Sequence, residues 1–158
     1  MITLTASYRR SLAASAIALL LLTVVACAET EPSSPIIVED AWSRSVAVGD
    51  SEDTNGAVYL TIRNTGNLDD ELVAQRSQAQ TAQVAEIHQS SISDGMMSRD
   101  MLPSVEVPAG GHVELAPGNY HIMLVGLTND LNLGDSFPIT LVFERAGEGD
   151  VDVLAEQR

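Results

Sequence analysis

From Ile36 onward the chain is a succession of short alternating or β-branched runs separated by turn residues, and no long amphipathic helical pattern competes with them. Strands are expected at 36–38, 57–64, 71–74, 84–89, 97–102, 112–115, 120–127, 139–144 and 151–154. Turn-forming clusters fall between them: Asn64-Thr65-Gly66, Asp94-Gly95, residues 108–111 (PAGG), Pro117-Gly118 and Gly134-Asp135. This spacing is that of a sandwich or barrel, and 158 residues suffice for one such domain. Residues 79–85 are also compatible with a helical turn. Residues 50–55 (DSEDTN) read as a polar loop, because they lack the ordered carboxylate spacing and distal glutamate of an EF-hand calcium site.

The N-terminus is an address. Arg9 and Arg10 precede an apolar stretch, 12–26, whose only polar side chains are Ser15 and Thr23. As a helix it would reach roughly 22 Å, short of a hydrocarbon core of roughly 30 Å, so a signal peptide is the better reading than a permanent span. Val24-Val25-Ala26-Cys27 resembles the bacterial lipobox, in which a diacylated cysteine becomes the first residue of the mature protein. The bland alternative is cleavage elsewhere, with Cys27 an ordinary small residue. The expected organisation is a lipoprotein-type signal peptide, 1–27, ending at lipidated Cys27, a flexible tether, 28–35, and a β-domain, 36–158. Location is then periplasmic or otherwise extracytoplasmic, on a membrane through the lipid.

Charge and cysteine content exclude several functions. There are eight arginines and no lysine against 22 acids, and the chain from Cys27 keeps six arginines and all 22 acids, a net charge of −16. Nucleic-acid binding needs a basic face or aromatic platforms, and neither is present. A polybasic lipid-docking patch is absent for the same reason. One cysteine supports neither a disulfide framework nor a thiolate metal cluster. With no GxSxG or HExxH motif and the acids scattered, no enzyme is expected, although folding can assemble a carboxylate pair that sequence does not show. A monomer is expected.

Sulfur and imidazole carry the chemistry. His121 and Met123 lie two apart on an expected strand and so share a face. If Asp94-Gly95 is a two-residue hairpin loop, Ser93 faces Met96 and His88 lies directly opposite Met101, with Cβ atoms about 4.5–5.5 Å apart. A neutral His/Met set without carboxylate favours Cu(I) over zinc, magnesium or calcium. Taken alone, such residues are more often core methionines and hydrogen-bonded strand histidines.

Several segments together resemble the periplasmic PCu(A)C copper-chaperone family: residues 41–44 (AWSR), 57–66 (AVYLTIRNTG), 85–88 (AEIH), 107–111 (VPAGG), 117–127 (PGNYHIMLVGL) and 134–144 (GDSFPITLVFE). The resemblance runs from about Ile36 to Leu154. It implies a cupredoxin-like, immunoglobulin-like antiparallel β-sandwich that binds Cu(I) outside the cytoplasm and passes it on, typically to the copper centre of cytochrome c oxidase or its assembly factor. His88 matches the family's first histidine, and His121 and Met123 its closing His-X-Met. The optional methionine after the first histidine is Gln89, and the middle methionine falls on Arg99, which cannot ligate a cation and would repel it.

Met97 and Met101 flank Arg99 at the same strand parity, and the hairpin arithmetic favours Met101, since Met97 would face Ile92. The expected metal ligands are therefore His88, Met101, His121 and Met123. The alternatives are Met97, a bulge that alters the register, a three-ligand site with Arg99 turned to solvent, or a module that has lost copper and docks a basic partner. His112 is expected to be solvated, Met96 to pack in the core, and Trp42 to plug the core.

Overall fold

The alternating runs form ten strands among the described residues: β1 (Ile36–Arg44), β2 (Gly56–Asn64), β3 (Asp70–Ser77), β4 (Ala82–Ser93), β5 (Met96–Met101), β6 (Val105–Val107), β7 (His112–Leu115), β8 (Tyr120–Leu127), β9 (Ser136–Phe143) and β10 (Gly147–Glu156). The computed structural model describes residues 33–49, 54–77, 81–93 and 96–158, excluding the side chains of residues 77, 92, 93, 96 and 97. The signal peptide, Cys27, the tether up to residue 32, most of the 50–55 loop and the Asp94-Gly95 turn therefore lie outside the described residues, as do the side chains of Met96 and Met97.

The strands follow one path, β5-β4-β8-β2-β1-β10-β9-β3-β6, with β7 joining the β8 edge of β2. Every pairing is antiparallel except β1 with β10, which runs parallel from Trp42↔Leu154 to Arg44↔Glu156. A register shift in β1 between Glu39 and Trp42 creates that junction. At the shift Asp40 adopts φ 58°, and Arg158 grips its carboxylate with two hydrogen bonds of 3.1 Å. The two halves of the path meet again where Gln75 Nε2 on β3 donates to the Ala85 carbonyl on β4, 2.8 Å away. The result is the cupredoxin-like β-sandwich, with the core between its halves.

Val58, Leu60, Ile62, Ile87, Ile122 and Leu124 face Leu72, Ile139, Leu141 and Val153 across that core, all essentially buried. Each such side chain contributes about 1.5–3 kcal/mol by leaving water. Period-two alternation sends the intervening residues of β4 and β8 to the opposite, outer face.

Residues 82–85 are strand rather than helix. β6 is an addition to the expected set; it is only three residues long and pairs with β3. The folded module also starts earlier than expected. Ser33 N donates to Asn67 Oδ1, Pro35 O accepts from Thr65 N, and a Cβ at Gly66 would collide with the Ser33 carbonyl. Buried Asp70 anchors this end, accepting from Ser34 Oγ at 2.8 Å and from the backbone N–H groups of Glu71, Arg145 and Ala146 at 2.8–2.9 Å. Burial opposes its charge, but these four donors hold its pKa below the usual carboxylate value.

Trp42 is buried, as expected, beside rather than within the main hydrophobic cluster. It lies on Tyr59, ring centroids 4.7 Å apart, beneath the Arg158 guanidinium at 5.1 Å. His112 is exposed at the start of β7, as expected.

Candidate metal centre

Three adjacent strands build the site on the outer face. The β4–β5 hairpin pairs His88 with Met101, Ser90 with Arg99 and Ser93 with Met96. On its other side β4 pairs with β8, bringing His88 opposite His121 and Glu86 opposite Met123. His88 is thus flanked by Met101 and His121 in one row, and Met123 follows in the next. The imidazole centroids are 5.8 Å apart, and Tyr59 continues the row 6.3 Å beyond His121.

The hydrogen bonds assign roles to the ring nitrogens. His121 Nδ1 lies 3.1 Å from the Asn119 carbonyl, an acceptor only, so the proton sits on Nδ1 and the Nε2 lone pair is available. His88 is reversed: Nε2 lies 2.8 Å from Glu86 Oε2, and Nδ1 is enclosed with no hydrogen-bond partner. The tautomer that satisfies the carboxylate carries its proton on Nε2 and leaves a lone pair on Nδ1. Burial lowers the His121 pKa, and the nearby His88 and Arg99 lower it further, against the opposing pull of the Asn119 carbonyl.

His121 is 6% exposed, whereas Met101, at the outer end of β5, is 67% exposed. Met123 is half-buried and lines, with His121, Tyr59, Arg44 and Arg99, a pocket of about 460 Å³. Arg99 therefore stands at the wall of this pocket. A larger cavity, about 1080 Å³, lies between β1 and the β9–β10 hairpin, but it contains neither imidazole nor thioether. Among the described residues, no group of three or more His, Cys, Asp or Glu side chains is placed to hold a metal ion. Among the described side chains, Met101 and Met123 bring thioethers to the same face as the two imidazoles.

Sequence reasoning missed Glu86, Tyr59 and Arg44. Glu86 was accessible to it, since it precedes His88 by two on a strand and so shares its face.

Residues 36–155 match the family described as "Putative lipoprotein LpqE-like". The apo PCuAC domain from PmoF1 is 30% identical, covering 78% of this chain and 94% of that one, with a TM-score of 0.63. The chain belongs to the LpqE-like, PCuAC-type family. Its PCuAC fold is shared by CuI-DR1885 from Deinococcus radiodurans, 23% identical over 83% of this chain and 84% of that one, with a TM-score of 0.62. The copper-bound PCuAC domain from PmoF2 is 24% identical over 80% and 97% of the two chains, with a TM-score of 0.64. A relative from Leifsonia xyli subsp. xyli, "Putative lipoprotein Lxx21020", is 29% identical over 91% of this chain and 89% of its own length.

Proposed function

We propose that this protein is an extracytoplasmic copper chaperone that holds Cu(I) through His88, Met101, His121 and Met123 and passes it to a copper protein such as cytochrome c oxidase or its assembly factor. The observation that carries this reading is the register: both imidazoles and both methionines occupy adjacent positions of β5, β4 and β8 on one face. Two neutral nitrogens and two thioethers suit a soft monovalent ion. Copper in the PmoF2 domain and in CuI-DR1885, which share the fold, supports the choice of metal. The exposure of Met101 suits delivery, because an acceptor's ligand can approach an ion whose shell is open on one side. Lipidation at Cys27 would keep the carrier at the membrane as a monomer, and its role is binding and transfer rather than catalysis.

The test is a Cu(I) titration of the chain from residue 28, which keeps every buried hydrophobic residue among the described ones, Trp42 to Ala155, against a chromogenic chelator. Tight 1:1 binding lost in His88→Ala and His121→Ala is expected. Arg99 at the pocket wall favours a second reading, a metal-free docking module, and absence of competitive binding by the wild type would establish that reading in place of the first.

A further inference from the structure

Among the described residues Met101 is the most exposed large apolar side chain, at 67%, although it lies directly opposite His88. Its place in the sheet accounts for this. β5 ends the strand path, so Met101 has a neighbouring strand on one side only. Met123 sits on β8, an interior strand, between Glu86 on β4 and Ala57 on β2, and is half-buried. The two thioethers of the proposed site therefore meet solvent very differently: a reagent reaches Met101 freely and reaches Met123 only past two flanking strands. A methionine as exposed as Met101 adds little to packing, and what it presents outward is its sulfur.

An accessible thioether is oxidised to the sulfoxide, a polar and chiral group that methionine sulfoxide reductases convert back. The sulfoxide oxygen is a hard donor, whereas Cu(I) selects soft ones. Resting on the chaperone reading, we propose that Met101 is a reversible oxidation site through which hypohalous acid shuts off copper loading. Sulfur gives two electrons to the halogen and gains the oxygen, so that thioether and hypochlorous acid yield sulfoxide, chloride and a proton. A dithiol reverses the step: the oxygen leaves as water and the dithiol closes to a disulfide. Met123, His88 and His121 keep their donor atoms, and the exposed position of Met101 lets the core survive the added oxygen. An empty carrier then stays empty under oxidising conditions, in which Cu(I) would lose its electron.

The experiment uses the chain from residue 28, which omits the one cysteine, with Met96→Leu and Met97→Leu, so that Met101 and Met123 are the only thioethers of the sequence. The metal-free protein receives one equivalent of hypochlorous acid, and peptide mass mapping locates the added oxygen. It should fall on Met101 and spare Met123. Cu(I) affinity against the chelator should drop by about tenfold or more, the urea midpoint should stay in place, and methionine sulfoxide reductase with a dithiol should restore the affinity. Met101→Leu in the same background should bind weakly and to the same extent before and after the oxidant. Oxygen arriving first on Met123, or full affinity with Met101 oxidised, overturns the switch and leaves copper binding standing. Failure of the untreated background to bind Cu(I) while the wild type binds it also overturns the switch at Met101. Failure of the wild type itself to bind overturns the chaperone reading.

Discussion

Replacing Glu86 by glutamine tests whether the carboxylate prepares His88 for metal. Glu86 Oε2 is 2.8 Å from His88 Nε2, the imidazole is largely covered, and Nδ1 has no partner of its own. An ionised carboxylate only accepts, so it fixes the proton on Nε2. A glutamine side chain can instead donate to Nε2, which moves the proton to Nδ1 and blocks the donor atom. Loss of a group that orients a ligating histidine typically costs 10- to 100-fold in metal affinity. Because Glu86 is itself about one-third exposed, the lower end applies: about tenfold, or about 1.4 kcal/mol. Chelator competition reads the affinity, and long-range ¹H–¹⁵N correlation spectra read which ring nitrogen carries the proton. Glu86→Asp keeps the charge but retracts the carboxylate, and it should lose affinity similarly. Full affinity in Glu86→Asp would mean that charge alone matters. Binding by Glu86→Gln as tight as wild type, or tighter, would refute the reasoning, since Glu86 would then be competing with copper for His88.

Met101→Leu keeps the side-chain volume and removes the sulfur, so Cu(I) affinity should fall, while Met97→Leu, paired with Ile92 four residues further along, should bind as the wild type does; the same titration decides, and the reverse pattern reassigns the ligand. Asp70→Ala should destabilise the domain by about 3 kcal/mol in urea unfolding, because it leaves the Ser34 hydroxyl and three backbone N–H groups without their acceptor. Since the folded-state pKa of Asp70 lies below its ordinary value of 3.8, its contribution is fully present above that pH and is lost as the pH falls through the lowered value. Wild-type stability should therefore drop on acidification below about pH 4, and Asp70→Ala should show less of that drop. Ile122→Ala, in the core, should cost about 2–5 kcal/mol in thermal or urea melts, whereas Met123→Leu, one residue on and facing outward, should melt near the wild type while weakening copper binding.

Local pattern made most of this architecture legible. The two-residue turn expected at Asp94-Gly95 predicts which residues oppose each other across the hairpin, and the observed pairs, from Ser93↔Met96 to His88↔Met101, follow that register. The pairing of β4 with β8, which brings the two imidazoles together, joins segments about 30 residues apart and is not written in any turn. The resemblance to known copper chaperones supplied His121 and Met123 as companions of His88. Trp42 is buried, as a lone indole in a chain poor in aromatics suggests, but stacking on Tyr59 and cover by Arg158 bury it beside the main cluster rather than within it. Residues 33–35 look like linker by composition, yet the depth of Asp70 and the absence of a side chain at Gly66 let them dock.

The outer-face position of the site also explains how this chain can carry Arg99 at all. Ile87 and Ile122, in the core, alternate with His88, His121 and Met123, so the positions that set stability and the positions proposed to hold metal are interleaved but point to opposite faces. A guanidinium placed in the core would oppose folding, whereas on this face it remains exposed at the pocket wall and leaves the packing untouched. Ligand identity can therefore change without a change of fold. The constraint that remains is electrostatic: a positive charge beside the imidazoles opposes the entry of a cation unless a negative charge lies close to it.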